Sequence, residues 1–510
     1  MAARAPDTTN QAAASKRVDR RVPSGRGFMR ALEAFAALAG AFGLSACTVG
    51  PDYLRAEAPV PAQYKELKGW KQARPSDRIE KGRWWAIFHD SELDRLASQV
   101  EVTNQNVAAQ LAAYEQARAL VRESQSGLFP SLNANWSGQR SGQGAALSQT
   151  GHAIATGISY PQGSVSWTLD IWGKIRRQIE SNQAVAQSDL GLLENAKLSA
   201  QAQLASAYVN LRSQDMLRAL LARTVIAYRE TERITLNQYN SGTVSKADLI
   251  TAQTQVLAVQ AQYEAAAVTR AQYEHAIAAL IGRPPANLAI KVGALPHLPP
   301  AVPVTLPTTL LERRPDVASA EREMQSQNAQ VGVAIAAYYP QISFSSAGGV
   351  EGANAFPFTA AHLIWSIGGA AADPVFDGGL RAAQTDAAKA LYRQAVANYR
   401  QTVLTAFQQV EDELSNLRLM ARELKIQEKA RDQAAEAVKV YLNQYRAGTV
   451  AFTTVVVAQA TLLSDEEAVL ATRQALFNAT VSLIEYLGGG FDANELLLEQ
   501  PPPLIEALAN

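Results

Sequence analysis

Residues 236–244 read LNQYNSGTV, and residues 442–450, lying 206 positions later, read LNQYRAGTV. The correspondence continues without a gap to Gly282 and Gly488, through Ala252-Gln253 against Ala458-Gln459. About a dozen of the paired residues are identical, too many for chance in two helical segments. The chain is therefore a tandem duplication of a unit of about 200 residues, a duplicated half-structure rather than a short stacking repeat.

On either side of these motifs the apolar residues recur at a helical period. Lys174 to about Asn240 reads as one helix, with Leu204, Tyr208 and Leu211 in one stretch of stripe and Leu217, Leu221, Val225 and Tyr228 in another. No proline interrupts it, so its length is about 100 Å. Ser241-Gly242 ends it, as a glycine past a helix terminus should. A return helix follows from about Lys246 to Ile281. Upstream, Ser91 to about Ser126 reads as a helix, stopped by Phe129-Pro130. The second unit repeats the order: a helix from Asp316 to about Ala337, a long helix to about Arg446 and a return helix from about Phe452 to Leu487. Helices 91–126 and 246–281 together match the long helix, so end-to-end stacking against it is expected.

Between the helices the period changes to two. Leu132, Ala134 and Trp136 alternate with Ser131, Asn133, Asn135 and Ser137, and Val165, Trp167, Leu169 and Ile171 alternate with Ser164, Ser166, Thr168 and Asp170. Pro161 reads as lying near the start of the second strand. The Gly/Ser/Gln-rich stretch Ser137 to Gly151 between them reads as a mobile loop. Ile342 and Phe344 alternate with Gln341, Ser343 and Ser345, and a less regular strand covers Leu363 to Phe376. Four amphipathic strands cannot close a barrel alone, and open edges cannot sit in lipid. Three chains would supply twelve strands, with Ser, Asn, Thr and Asp170 toward a wet lumen and Trp, Leu and Ile toward lipid. Trp136, Trp167, Trp172 and Trp365 are then expected near the membrane interfaces. Small residues at Ala196, Ala200, Ala205 and Ala207 would let long helices approach closely.

Lys+Arg and Asp+Glu are both 47, so the chain is neutral and lacks the basic footprint of a nucleic-acid binder. Charged residues are only 18%, which suits long helices packed through small residues better than an enzyme core. The single cysteine excludes a disulfide framework. Its setting is specific: five arginines between Arg17 and Arg30, an apolar run Ala31 to Leu44, then Leu44-Ser45-Ala46-Cys47. That is a secretory leader ending in a lipobox, with Cys47 the lipidated residue. Glu33 lies inside the apolar run, and translation from Met29 would give a leader of ordinary length, so residues 1–28 can be a misassigned start. Thr48, rather than aspartate, after the cysteine favours the outer membrane.

The division expected is a leader at 1–46, a lipidated N-terminal segment at 47–90, a first repeat at 91–282, a Pro-rich linker at 283–309, a second repeat at 310–488 and a tail at 489–510. The five histidines are far apart, and no phosphate-binding loop, nucleophile elbow or metal-ligand spacing is present, so neither an enzyme nor a cofactor is expected. A lipid-anchored helical scaffold without transport is the alternative to a membrane duct.

Several stretches resemble the outer-membrane factors of tripartite efflux and secretion systems, in the TolC-like superfamily, and within it the lipoprotein branch of the NodT and OprM type. They are Cys47 to Tyr53, Trp84-Trp85 with Phe88, Leu169 to Lys174 through Arg176, Leu306-Pro307 through Leu310-Leu311, Arg314-Pro315-Asp316-Val317 with Ala320-Glu321, and Pro374 to Gly379. The resemblance covers nearly all the chain after the leader. It implies a homotrimer with a twelve-stranded barrel, a periplasmic helical tunnel and an equatorial belt built from the N-terminal segment, the linker and the tail. It also implies passive efflux through a duct, with a periplasmic adaptor and an inner-membrane pump as partners; a type I protein-secretion duct is the alternative, against which the lipobox and the Gly50-Pro51-Asp52-Tyr53 start argue. In this family, carboxylates about six and about nine residues beyond the second-unit tip glycine commonly narrow the entrance. Here those positions hold Thr454 and Val457, and the first-unit equivalents hold Asp248 and Thr251. An entrance sealed mainly by apolar packing around Val457 is expected, with Asp248 the remaining charge; the alternative is that Asp248 simply caps its helix or faces solvent. The hairpin tips, Asn240-Ser241-Gly242-Thr243 and Arg446-Ala447-Gly448-Thr449, are the expected adaptor contacts.

Overall fold

A computed structural model describes residues 48–66, 83–147, 153–296, 313–353 and 362–489. The chain divides into a unit Met1–Thr48, of which only Thr48 is described, and a unit Val49–Asn510, whose architecture follows. Its elements are α1 (Ser91–Thr103), α2 (Gln105–Ser126), β1 (Ser131–Gln143), β2 (Ile154–Leu169), α3 (Lys174–Asn240) and α4 (Lys246–Leu280) in the first repeat. The second has α5 (Pro315–Ala336), β3 (Gln341–Val350), β4 (Leu363–Ala372), α6 (Leu380–Arg446) and α7 (Phe452–Tyr486).

The duplication is reproduced residue for residue in the helices. Both long helices have 67 residues, both return helices 35, and α2 and α5 both 22. At 1.5 Å per residue, α3 and α6 are each about 100 Å long. The expected single helix 91–126 is instead two. Asn104 leaves helical geometry, and its side chain accepts from the N–H groups of Asn106 and Val107, capping α2. The break has a tertiary cause. Asn104 Nδ2 donates to Leu280 O (2.7 Å) and Thr103 Oγ1 to Ile281 O (2.7 Å), so the end of α4 abuts the start of α2. It is α2, not the whole of 91–126, that stacks on α4 alongside α3. The second repeat makes the same joint, with Arg314 Nη1 donating to Tyr486 O at 3.3 Å. Glycine is required at both: Gly282 (φ +64°) and Gly488 (φ +89°) would place a Cβ 2.1 Å from Thr103 O and 1.8 Å from Arg313 O.

The strands form one antiparallel sheet in the order β1-β2-β3-β4, leaving β1 and β4 as outer strands. Paired residues share a face, so the register extends each strand's alternation across the sheet. Leu132 pairs with Val165, Val165 with Ser346, and Ser346 with Ile367. One face therefore carries Leu132, Trp136, Val165, Trp167, Phe344, Trp365 and Ile367, and the other mainly Ser, Asn, Thr, Gln, Ala and Gly, with Ile158, Tyr160 and Ile364 the exceptions. Three expectations are corrected here. The stretch from Ser137 is strand to Gln143 rather than a loop, because its hydrogen bonds come from β2 and need no apolar side chains. Pro161 lies inside β2, where it pairs with Trp136. Ser159 and Gly352 exchange backbone hydrogen bonds, and the β2–β3 ladder resumes only at Gln162, past the proline that has no N–H to give. Asp170 does not line a strand face: its carboxylate accepts from Ile175 N (2.9 Å) and Arg176 N (3.0 Å), capping α3.

The main core lies where α3 packs against α1, α2, α4, α5 and α7. Trp84, Leu96, Tyr208, Leu211, Ile277 and Phe477 are at most 2% exposed there, each burial stabilising by roughly 1.5–3 kcal/mol. Ala200, Ala205 and Ala207 are buried inside this same core, so their small size serves packing within the chain. The segment from Val49 is tied along the helices. Val49 N donates to Trp172 O (3.1 Å), Asn328 Nδ2 to Pro51 O (3.0 Å), and Arg177 pairs with Asp52 (2.7 Å). Tyr53 and Arg55 reach Glu321, and Glu66 pairs with Arg418. The described part of the linker is held by Arg212, Asp215, Arg270 and Glu274, with Arg270 Nη2 on Ile290 O at 2.6 Å. Linker residues 297–309 and the tail beyond 489 lie outside the described residues, as does the leader. Among the described residues no helix is long and apolar enough to cross a membrane.

Candidate functional site

Two regions are the candidates: the hairpin tips at one end of the long helices and the sheet at the other. At the tips, the repeated motif builds the same turn twice. Ser241 N, Gly242 N and Thr243 N donate to Asn237 O, Tyr239 O and Gln238 O; Ala447 N, Gly448 N and Thr449 N donate to Asn443 O, Tyr445 O and Gln444 O. Thr243 Oγ1 and Thr449 Oγ1 add a bond to Gln238 O (2.9 Å) and Gln444 O (3.0 Å). Gly242 and Gly448 take φ of +72° and +75°, which explains the conserved glycine of the repeat as a left-handed helix end. Both turns are exposed, leaving Asn240, Ser241, Arg446 and Ala447 presented to solvent.

The four expected entrance residues fall at matching places in the two hairpins. Asp248 forms a capping box with Ser245: Ser245 N and Oγ donate to its Oδ2 (3.1 and 2.8 Å), and Asp248 N donates to Ser245 Oγ (3.2 Å). Thr251 is exposed, and its hydroxyl donates to Ala247 O. In the second hairpin Ala451 and Thr454 stand where Ser245 and Asp248 stood, so that helix starts without a side-chain cap. Val457 is 65% exposed and, with Thr454, lines an open groove between α6 and α7. Cys47 lies outside the described residues.

The residues that join the two hairpins were not singled out from sequence. Tyr445 is 3% exposed, its hydroxyl 3.2 Å from Thr235 Oγ1 and its ring 5.4 Å from Phe452. Gln459 Nε2 donates to Thr231 Oγ1 at 2.9 Å inside the same seam. Burial pushes the Tyr445 phenol up; the hydrogen bond from Thr235 pulls it down, and the Asp248 carboxylate pushes it up further. The available signal was retention of Tyr239/Tyr445 and Gln253/Gln459 in both repeats.

At the other end, the apolar sheet face is open: Leu132, Trp136, Leu363, Trp365 and Ile367 are 62–79% exposed. A contiguous apolar face of this kind marks a surface built to meet lipid or protein. Two of the four expected girdle tryptophans are also tied to the helix ends. Trp167 Nε1 donates to Leu128 O (2.9 Å), and Trp172 Nε1 donates to Pro340 O (2.8 Å) while stacking on Tyr339.

The chain is similar to an antibiotic efflux pump outer membrane protein, ArpC, of Pseudomonas putida, with 29% identity over 88% of this chain and 94% of the relative. It is similar to outer membrane protein OprJ of Pseudomonas aeruginosa, with 29% identity over 91% and 97%. The solved outer-membrane channel OprN superposes with a TM-score of 0.81 at 27% identity, covering 87% of this chain and 99% of that one. The family model described as outer membrane efflux protein matches twice, at residues 96–283 and 306–489, once for each repeat found in the sequence. The chain belongs to the outer membrane efflux protein family.

Proposed function

We propose that this protein is the outer-membrane exit duct of a tripartite efflux system, a passive channel for small toxic molecules such as antibiotics. One observation carries the reading: a sheet with one open apolar face and one polar face continues directly into two helices about 100 Å long. Outer strands with unpaired edges cannot face lipid, so the sheet must close on copies of itself. Three copies give twelve strands, above the minimum of about eight for a membrane barrel. The polar face then lines a wet lumen, and the helices extend it through the periplasm. Family membership supports export, as do relatives named for antibiotic efflux.

In this reading Cys47 carries the lipid that anchors the N-terminus in the outer membrane, and Val49 to Glu66, tied across α3, α5 and α6, runs from that anchor toward the equatorial belt. The tips Asn240 to Thr243 and Arg446 to Thr449 meet a periplasmic adaptor, which couples the duct to an inner-membrane pump. Asp248, Thr251, Thr454 and Val457 narrow the entrance. Negative-stain electron microscopy of the full-length protein in mild detergent tests it. A three-fold particle with a short wide end and a tapering rod is expected; a monomer, or a rod without the wide end, sinks the reading.

A further inference from the structure

Within one chain the two hairpins meet as groove and knob. The groove is on the first hairpin, where Tyr228, Thr231, Thr235 and Ala252 are at most 4% exposed. The knob is on the second: Tyr445 seats against Thr235, Gln459 Nε2 donates to Thr231 Oγ1, and Gln238 Nε2 reaches Tyr445 O. The helices correspond at a fixed spacing of 206 residues, so each of these residues has a counterpart in the other repeat. The counterparts of the groove are Ala434, Ala437, Tyr441 and Ala458. They line the same open groove as Thr454 and Val457, about 450 Å³ in volume, with Ala434 and Ala458 8–9% exposed and Tyr441 36%. The counterparts of the knob are Tyr239 and Gln253. Both are exposed, Tyr239 at 37% against 3% for Tyr445. Each chain thus satisfies one groove with one knob and has one of each left over. Leftover complementary surfaces of this kind make a head-to-tail contact that closes a ring when repeated.

We propose that the groove lined by Ala434, Ala437, Tyr441 and Ala458 receives Tyr239 of a second copy of this chain, sealing the tip between protomers. The proposal rests on the trimeric-duct reading and names the contact that reading leaves open. The two joints are not equal. Where Thr231 offers Gln459 an acceptor, Ala437 offers Gln253 none from its side chain, and Ala434 replaces the bulk of Tyr228. The joint between copies therefore lacks the side-chain acceptor that Gln459 finds in Thr231, while Tyr441 stands in place of Thr235.

The test places the photoreactive residue p-benzoylphenylalanine at position 239 of the full-length protein in mild detergent. Particle mass is measured by light scattering before irradiation, and cross-linked peptides are mapped by mass spectrometry. The expected product joins two chains, with attachment between residues 434 and 461. The same probe at position 445 joins residues of a single chain, between 228 and 252. Ala437→Trp, which fills the groove, lowers the yield from position 239 several-fold and leaves that from position 445 unchanged. A trimer whose position-239 probe gives no interchain product, or attaches elsewhere, overturns the proposal and leaves the duct reading standing. A monomer overturns both.

Discussion

Replacing Tyr445 separates the contribution of its ring from that of its hydroxyl. The hydroxyl makes one hydrogen bond, 3.2 Å to Thr235 Oγ1, and Tyr445→Phe removes only that, a loss of about 1 kcal/mol. Tyr445→Ala also removes a ring that is 3% exposed and packs on Phe452, a loss of about 3–5 kcal/mol. The tip cluster of Ala252, Tyr445, Phe452 and Val455 is separate from the main core around Trp84, Tyr208 and Phe477. The loss therefore appears as local opening of the hairpin ends rather than global unfolding. With about 1.4 kcal/mol per factor of ten, amides at the end of α3 exchange roughly five-fold faster in Tyr445→Phe and about 100- to 4,000-fold faster in Tyr445→Ala. Hydrogen exchange read by mass spectrometry over residues 228–240 measures both, with residues 198–212 as the internal control. Unchanged exchange at 228–240 in Tyr445→Ala would refute the reasoning, as would an equal rise at 198–212.

Gly488→Ala, forced to φ +89° with its Cβ 1.8 Å from Arg313 O, costs about 2–5 kcal/mol. Gly448→Ala has the same sign of φ and no neighbour within 4 Å, so it costs about 1–2 kcal/mol; thermal melts that rank the two the other way contradict the joint between α7 and α5. Burial pushes the Glu485 carboxyl up, partly offset by Ser199 and Arg314 and reinforced by Asp316. Its ionised form therefore destabilises the fold above the raised pKa, and this cost disappears as pH falls through the ordinary carboxylate range. Glu485→Gln should raise the Tm at pH 8, with the gain closing toward pH 4; a gain independent of pH would point to another cause. Val457→Asp places three carboxylates around the proposed entrance and should raise cation selectivity in bilayer recordings; unchanged selectivity counts against Val457 lining the pore.

The helices were legible because a 3.6-residue period over 67 positions, with glycine at its end, has few rivals. The repeat then fixed their lengths twice over. What escaped was decided by contacts distant in sequence. The break at Asn104 exists because Leu280 and Ile281 supply partners for Asn104 and Thr103. Residues Ser137 to Gln143 looked like a loop because a strand of Ser, Gly and Gln shows its nature only when β2 pairs with it. At the tip, Asp248 was legible both as an exception to the family pattern and as a helix cap, and the structure shows the cap, closed with Ser245. The Tyr445–Thr235 seam was hidden because motif identity shows that two tyrosines are alike, not that one is buried and the other exposed. The N-terminal motif Gly50-Pro51-Asp52-Tyr53 carried the resemblance, yet its physical role appears only where Asp52 meets Arg177 and Tyr53 meets Glu321.

Single-channel recording of the purified full-length protein in a planar lipid bilayer tests the duct most directly. Because the resting tip is sealed, the decisive sample is Tyr239→Ala, which removes the seal: unitary conductance steps larger or more frequent than those of the wild type are expected, without any partner protein. Complete absence of conductance from that variant, shown to have inserted into the bilayer, would contradict the duct.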